Sequence, residues 1–413
     1  MKKTLLTLSL LILTLTVGCA VLSSCGEGNG ESVTLYVYNW GEYISDGSEE
    51  SLDVNAEFEK YCREVLKKNV TVNYSTFSSN EDMYAKISSG AATYDVIIPS
   101  DYMIQRMISE GLVQPLNMEK IPNYQYISDD FKGENVYYEP KDGNIYSVPY
   151  TYGMIGVIYN TAIVPEDTEN IGSWEMMWDE SFRGDILQFN NSRDAFGTAL
   201  YALGYDVNEA TEAQWQEALA KLKVQKELVQ GYVMDEIFNK MKSGSAAVAA
   251  YYAGDFLSMY EDNEDLAFFY PSRTNIYVDA MCVPANAPNA ELANEYINFM
   301  LSEEIAIANA EYHYYATPNK LVYENAEYVE YMESIHEDAM EILYADFHDI
   351  EATAYLNLSA EKLTMLNTLW EELKVESSIG DGIYVCCGLI VAAIVVLVVA
   401  NVIRKRRWAK LYD

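Results

Sequence analysis

Short apolar runs alternate with stretches of helical spacing along most of this chain. Residues 33–38 form an apolar and aromatic run that reads as a buried strand, ended by Asn39 and turned at Gly41. Residues 53–68 have helical spacing, with Phe58, Tyr61, Val65 and Leu66 apolar. A second strand follows at 70–74, a short helix at 81–88, a buried strand at 94–98 stopped by Pro99, and a helix at 102–112. This alternation predicts βα units around a mostly parallel sheet. Residues 147–160 (SVPYTYGMIGVIYN) form a long strand interrupted by Gly153 and Gly156, suited to cross from one lobe to another, and 275–284 form a second crossing strand. Between them lie a helix opened by Ser173 and Trp174, a strand at 185–189, a helix at 195–203, one long helical stretch at 209–230 and a small-residue strand at 246–252. Residues 290–302 and 305–310 are helical, and the rest up to Lys374 is largely helical. No internal repeat stands out.

The two ends follow other patterns. Lys2 and Lys3 precede an apolar run from Leu5 to Val17, which reads as a secretory signal over 1–24. Leu22-Ser23-Ser24-Cys25 resembles the lipobox of bacterial lipoproteins, so Cys25 is expected to carry lipid. Residues 383–403 are uncharged, long enough for a membrane-spanning helix, and Arg404 to Arg407 follow with Trp408 beside them. A basic cluster stays cytoplasmic, so the tail 404–413 is expected inside the cell and the body on the extracytoplasmic face of the membrane. The polar stretches 26–32 and 375–382 read as tethers. Eight extended residues reach at most about 28 Å, which keeps the body close to the bilayer.

Composition narrows the chemistry. With 27 basic and 63 acidic residues in 413, the net charge is −36, which argues against nucleic acid and favours cationic partners. Only three histidines are present, so neither a metal site nor a cofactor is expected. Cys62 and Cys282 are the only cysteines of the body. They form either one disulfide or two buried thiols. The stretch LYVYNWGEY places Trp40, Glu42 and Tyr43 where a strand meets a loop. In open α/β sheets this is where ligands bind. Two aromatic faces and a carboxylate suit an organic cation; the competing reading has Trp40 and Tyr43 plugging the strand end. Ser100 either caps the following helix or contacts ligand, and Tyr102 can face a cleft beside Trp40 and Tyr43. No motif for nucleophilic, zinc-dependent or cysteine-based catalysis is present, so no enzyme and no catalytic residue is expected.

Residues 33–374 resemble the substrate-binding proteins of bacterial spermidine/putrescine (polyamine) ABC transporters. The resemblance rests on seven blocks in family order: LYVYNWGEYIS from Leu35, STFSSNEDMYAKI from Ser75, YDVIIPSDYMIQRM from Tyr94, VPYTYGMIGVIYN from Val148, SWEMMWDESFRGDI from Ser173, VDAMCVPANAPN from Val278 and YATPN from Tyr315. It implies an α/β, two-lobe periplasmic-binding-protein-like fold with a hinge and an inter-lobe ligand cleft. Lobe one would be about 31–150 and 279–322, lobe two about 151–278 and 323–374. The family's ligand aromatics fall on Trp40, Tyr43, Tyr102 and Tyr315, its first-lobe polar contact on Ser100, and its acids on Asp194 and Asp279, with Glu42 as a third acid. Tyr252 and Tyr277 stand where the best-known spermidine binders have Trp, Asn191 where they have Asp, and Gly41 where they have Thr. A Gln that those binders supply from the last segment has no partner here. Asn191 accepts hydrogen bonds but brings no charge, so one acid fewer points to a two-amine ligand such as putrescine, or to weaker spermidine binding. The implied partners are a polyamine and ABC permease subunits. No Walker A pattern is present, so the ATPase is a separate chain. The alternatives are a membrane-tethered sensor and a binder of another small organic cation.

Overall fold

The structure, a computed structural model, describes residues 32–347 and 349–375. The signal 1–24, Cys25, the span 383–403 and the tail 404–413 lie outside these residues, as do the tethers apart from Ser32 and Val375. Among the described residues no helix is long and apolar enough to cross a membrane.

Among the described residues eleven strands are present: β1 Val33–Trp40, β2 Val70–Phe77, β3 Val96–Ile97, β4 Val113–Gln114, β5 Ser147–Asn160, β6 Ile186–Phe189, β7 Val229–Val233, β8 Val248–Tyr252, β9 Leu266–Phe269, β10 Arg273–Pro284 and β11 Glu351–Ala354. The main path runs β2-β1-β3-β10-β5-β8-β6-β7. Both wings are parallel, β1 with β2 and β3 on one side and β6 with β7 and β8 on the other. In the middle β5 and β10 run antiparallel. The first half of β5 pairs with β10, and its second half with β8 and β9. One continuous strand therefore passes from one wing into the other.

Two hydrophobic cores follow the wings. One gathers Leu35, Val37, Phe58, Val148, Tyr150, Val283 and Tyr296; the other Ile155, Val157, Phe189, Phe196, Trp215 and Phe256. β5 feeds Val148 and Tyr150 into the first and Ile155 to Ile158 into the second. At Gly156 a β-carbon would stand 2.7 Å from the Phe269 carbonyl oxygen, so only glycine lets β9 lie this close.

Several boundaries differ from the sequence reading for local reasons. β1 continues through Asn39 to Trp40 because β2 pairs with it along its whole length, so Trp40 sits in the strand rather than after it. The stretch 53–68 is an α-helix only over Val54–Tyr61, started by Asp53 accepting from the Ala56 N–H. It widens into a π-turn over Cys62–Leu66 and stops at Lys67 in the left-handed region. The stretch 209–230 is not one helix: Glu212–Lys226 is helical, capped by Thr211 and Gln214, and the chain then enters β7. Trp174–Trp178 is a 3-10 helix, with Ser173 accepting from the Glu175 N–H. Cys62 and Cys282 are both buried and free.

Candidate functional site

The helix starts and strand ends of the two wings face each other across a cleft, with β10 as its floor. The cleft holds a cavity of about 140 Å³, small beside the roughly 300–1,000 Å³ of drug-sized pockets, so its size suits a small ligand. Trp40, Glu42, Tyr43, Ser100, Tyr102, Asn191, Asp194, Tyr252, Tyr277, Asp279 and Tyr315 all line it.

Asp279 stands at the centre of the floor, 5% exposed. The Tyr43 hydroxyl donates to its Oδ2 at 2.8 Å, and Ser100 is bridged to it across the backbone. Its Oδ1 is buried with no hydrogen-bond partner. Burial pushes the carboxyl up to about 6, although the Ser100 and Tyr43 hydroxyls beside it pull it down; the nearby Asp194 charge adds to the rise. Two residues earlier on the same face of β10, Tyr277 is buried with its hydroxyl unpartnered. Its ring has room because Gly153 faces it: a β-carbon there would lie 2.6 Å from the Tyr277 oxygen.

Ser100 occupies the N-cap position of the helix Asp101–Ser109, yet its side chain makes no cap bond. It accepts instead from Asn80 Nδ2 at 3.0 Å. Behind it, buried Asp101 accepts from the Tyr102 and Val278 N–H groups and from the Tyr137 hydroxyl, which locks the helix start to β10. Burial pushes Asp101 up to about 7. Tyr102 donates to Glu81 at 3.1 Å, and Trp40 packs on Phe77 with ring centroids 4.5 Å apart. The Trp40 indole N–H is buried without an acceptor. Glu42 is different: it is exposed, in the left-handed region at φ 49°, and stands at the rim.

On the other wing Asn191 caps the helix Ser192–Ala202 by accepting from the Asp194 N–H. Its amide also donates to the Asp194 carboxylate, as does the Tyr252 hydroxyl at 2.8 Å. Burial raises the Asp194 carboxyl, while Tyr252, Asn191 and the Arg193 charge oppose that rise. Tyr252 and Tyr277 meet edge to face at 5.3 Å. Tyr315 closes the end of the cleft, edge-on to Tyr43 at 5.0 Å.

The cleft also holds residues that the sequence reading did not single out. Asp255 is buried, accepts from the Tyr315 hydroxyl at 2.6 Å, and is pushed up to about 7 by burial. It lies in the first turn of the helix Ala253–Tyr260, where an acid is ordinary, so nothing in the sequence marked it. Tyr355, from the last segment, lines the wall, as do Arg193, Glu81 and Asp235. Four buried carboxylates line the cavity; Asp101 is taken up by N–H groups and Tyr137, and Asp194, Asp255 and Asp279, among tyrosine and tryptophan faces, can hold ammonium groups by charge and by ring quadrupole, with the rings covering methylenes between them. Among the described residues no group of His, Cys, Asp and Glu is arranged to hold a metal ion.

Residues 54–334 match the family described as bacterial extracellular solute-binding protein. The chain is 29% identical over 307 residues to the spermidine/putrescine-binding periplasmic protein of Escherichia coli K12, covering 74% of this chain and 83% of that protein. A solved structure from Listeria monocytogenes shares 34% identity at a TM-score of 0.72, covering 83% of this chain and 98% of that one. The spermidine/putrescine ABC transporter substrate-binding protein of Streptococcus pneumoniae is 30% identical at a TM-score of 0.64, with 83% and 98% covered.

Proposed function

This chain belongs to the bacterial extracellular solute-binding protein family, and from that premise we propose that it is the extracytoplasmic polyamine-binding component of an ABC uptake system. The observation that carries the reading is Asp279, buried, with one carboxylate oxygen unpartnered, at the floor of an aromatic cavity that also holds Asp194 and Asp255. A carboxylate in that setting needs a cation. An α,ω-diamine or a triamine supplies ammonium groups at fixed spacing and apolar methylenes to lie against Tyr252, Tyr277 and Trp40. Putrescine and spermidine are the ligands named for the relatives, and they are proposed for this chain.

In this reading lobe one is about 31–150 and 279–322, lobe two about 151–278 and 323–374, and bending of β5 and β10 opens and closes the cleft. The ligand contacts are the eleven cleft residues carried from the sequence, with Asp255 added. The closed form delivers its ligand to a permease served by a separate ATPase chain, and the protein itself catalyses nothing. Lipid on Cys25 and a helix over 383–403 tether it to the membrane, with the tail 404–413 in the cytoplasm. Tethering raises the effective concentration at the permease.

Calorimetric titration with putrescine, spermidine and spermine tests the reading, with Asp279→Asn in parallel. Binding of at least one of them, abolished or strongly weakened by the substitution, is expected. Absence of binding for all three would overturn it.

A further inference from the structure

Arg193 is an unusual residue for a cleft that attracts cations. It is 5% exposed and lines the cavity, yet its Nε and Nη1 are buried without an acceptor. Its guanidinium lies between two tyrosine rings, 4.5 Å from the centroid of Tyr355 and 5.6 Å from that of Tyr102. Tyr355 belongs to the core around β6 and β8. Tyr102 stands on the opposite side, on the helix Asp101–Ser109, and packs against both cores. Among the described residues the guanidinium makes one hydrogen bond, from Nη2 to the Leu356 carbonyl at 3.2 Å.

The same short segment touches the first wing a second time. The Asn357 N–H donates to Gln105 Oε1 at 2.8 Å, and Gln105 belongs to the helix that carries Tyr102. Within its own wing the segment is fixed: the Leu356 N–H donates to Asn208 at 2.9 Å, and the Tyr355 hydroxyl to the Arg193 carbonyl at 3.3 Å. Residues 355–357 and Arg193 are thus one firmly held unit that reaches across to Tyr102 and Gln105. Both contacts join the two wings in this structure, so a hinge opening that parts the wings would break them. They are also modest, since a cation over a ring and one partly exposed hydrogen bond give little, and two orphaned N–H groups offset part of it.

We infer that Arg193 and the segment 355–357 form a latch that engages Tyr102 and Gln105 when the cleft closes, making them positioning residues that set how long ligand is held. The inference rests on the hinged polyamine-binding reading. A contact made only in the closed form slows release and leaves capture unchanged.

The test is stopped-flow fluorescence with putrescine and spermidine on the wild-type protein, Gln105→Ala, Arg193→Met and Arg193→Lys. Gln105 does not line the cavity, so its loss reports on the latch alone. Gln105→Ala is expected to raise koff about fivefold, the scale of one hydrogen bond, with kon within about twofold. Arg193→Met is expected to raise koff further, and Arg193→Lys, which keeps a cation over the rings, to fall between. Unchanged koff in Gln105→Ala, or a fall in kon that accounts for the loss, overturns the latch, and this holds even if the Arg193 variants fail to fold. If the wild-type protein binds neither amine, the functional reading falls and the latch, which rests on it, falls with it; amine binding with an unchanged koff in Gln105→Ala overturns the latch alone.

Discussion

Asp279 on the floor of the cleft and Asp255 beside it are built alike, each with a tyrosine hydroxyl donating to one carboxylate oxygen. Replacing Asp255 by Asn keeps an acceptor for Tyr315 and removes only the charge. The expected result is a loss of polyamine affinity of about 2 kcal/mol or more with little change in melting temperature, read by calorimetry and thermal denaturation. Gly153 makes a complementary case. Gly153→Ala puts a methyl against the buried Tyr277 hydroxyl, and the ring then has to turn into the cavity. Affinity is expected to fall at least about tenfold while the fold persists, since the ring has the cleft to move into. These two positions also mark what can be read from residues alone. Trp40 and Tyr102 were legible as cleft residues because they sit at a strand end and a helix start inside recognisable blocks, and Asp279 because its block begins one residue before it, although it lies in the middle of β10. Asp255 was not, because an acid in a first helical turn has a sufficient local explanation. Tyr355 was not, because the last segment offers no pattern that separates a cleft tyrosine from a packing one. Asn191 was read as a ligand contact in place of an acid; the structure gives it the N-cap and a bond to Asp194, so its first task is to hold that carboxylate.

Among the elements, β5 was legible to the residue, because an apolar run of this length broken by two glycines has no good helical reading. β4, β9 and β11 were missed: two to four residues each, they are held by pairing with long strands and not by a pattern of their own. β7 was hidden because Gln230 and Gly231 interrupt its alternation, and the helix before it seemed to run on. The two glycines of β5 are expected to separate under substitution. Gly156→Ala drives a methyl into Phe268 and the Phe269 carbonyl, both held in the second core, so it should cost stability of about 1–3 kcal/mol in denaturant melts. Its effect on ligand affinity should be small beside that of Gly153→Ala, which would show that one strand carries a structural glycine and a ligand-facing glycine three residues apart.

For the molecule as a whole, pH acts with opposite sign on the empty and the filled protein. Burial holds Asp279 up to about 6 and Asp101 and Asp255 up to about 7, above the ordinary carboxylate value of 3.8. Between those values the folded chain keeps protons that the unfolded chain has lost, so this contribution to stability is full below about pH 4 and fades as pH rises through 6 to 7. Buried His313, lowered to about 3, works the other way below its ordinary 6.5, but it is one group against three. Ligand-free protein is therefore expected to melt higher at pH 5.5 than at pH 8. A cation needs the carboxylates ionised, so its affinity should fall at least about tenfold from pH 8 to pH 5, with proton release on binding. Thermal melts with and without putrescine at the two pH values check both signs. The unpartnered oxygen of Asp279 has a consequence of another kind. With no cation present, bringing the lobes together encloses four buried acids and strands that oxygen, so an empty closed molecule is penalised and a loaded one is not. Shape then serves as a truthful report of contents. A partner that recognises only the shut form spends few cycles on vacant carriers, and the fidelity of that signal is set by the same carboxylates that choose the cargo.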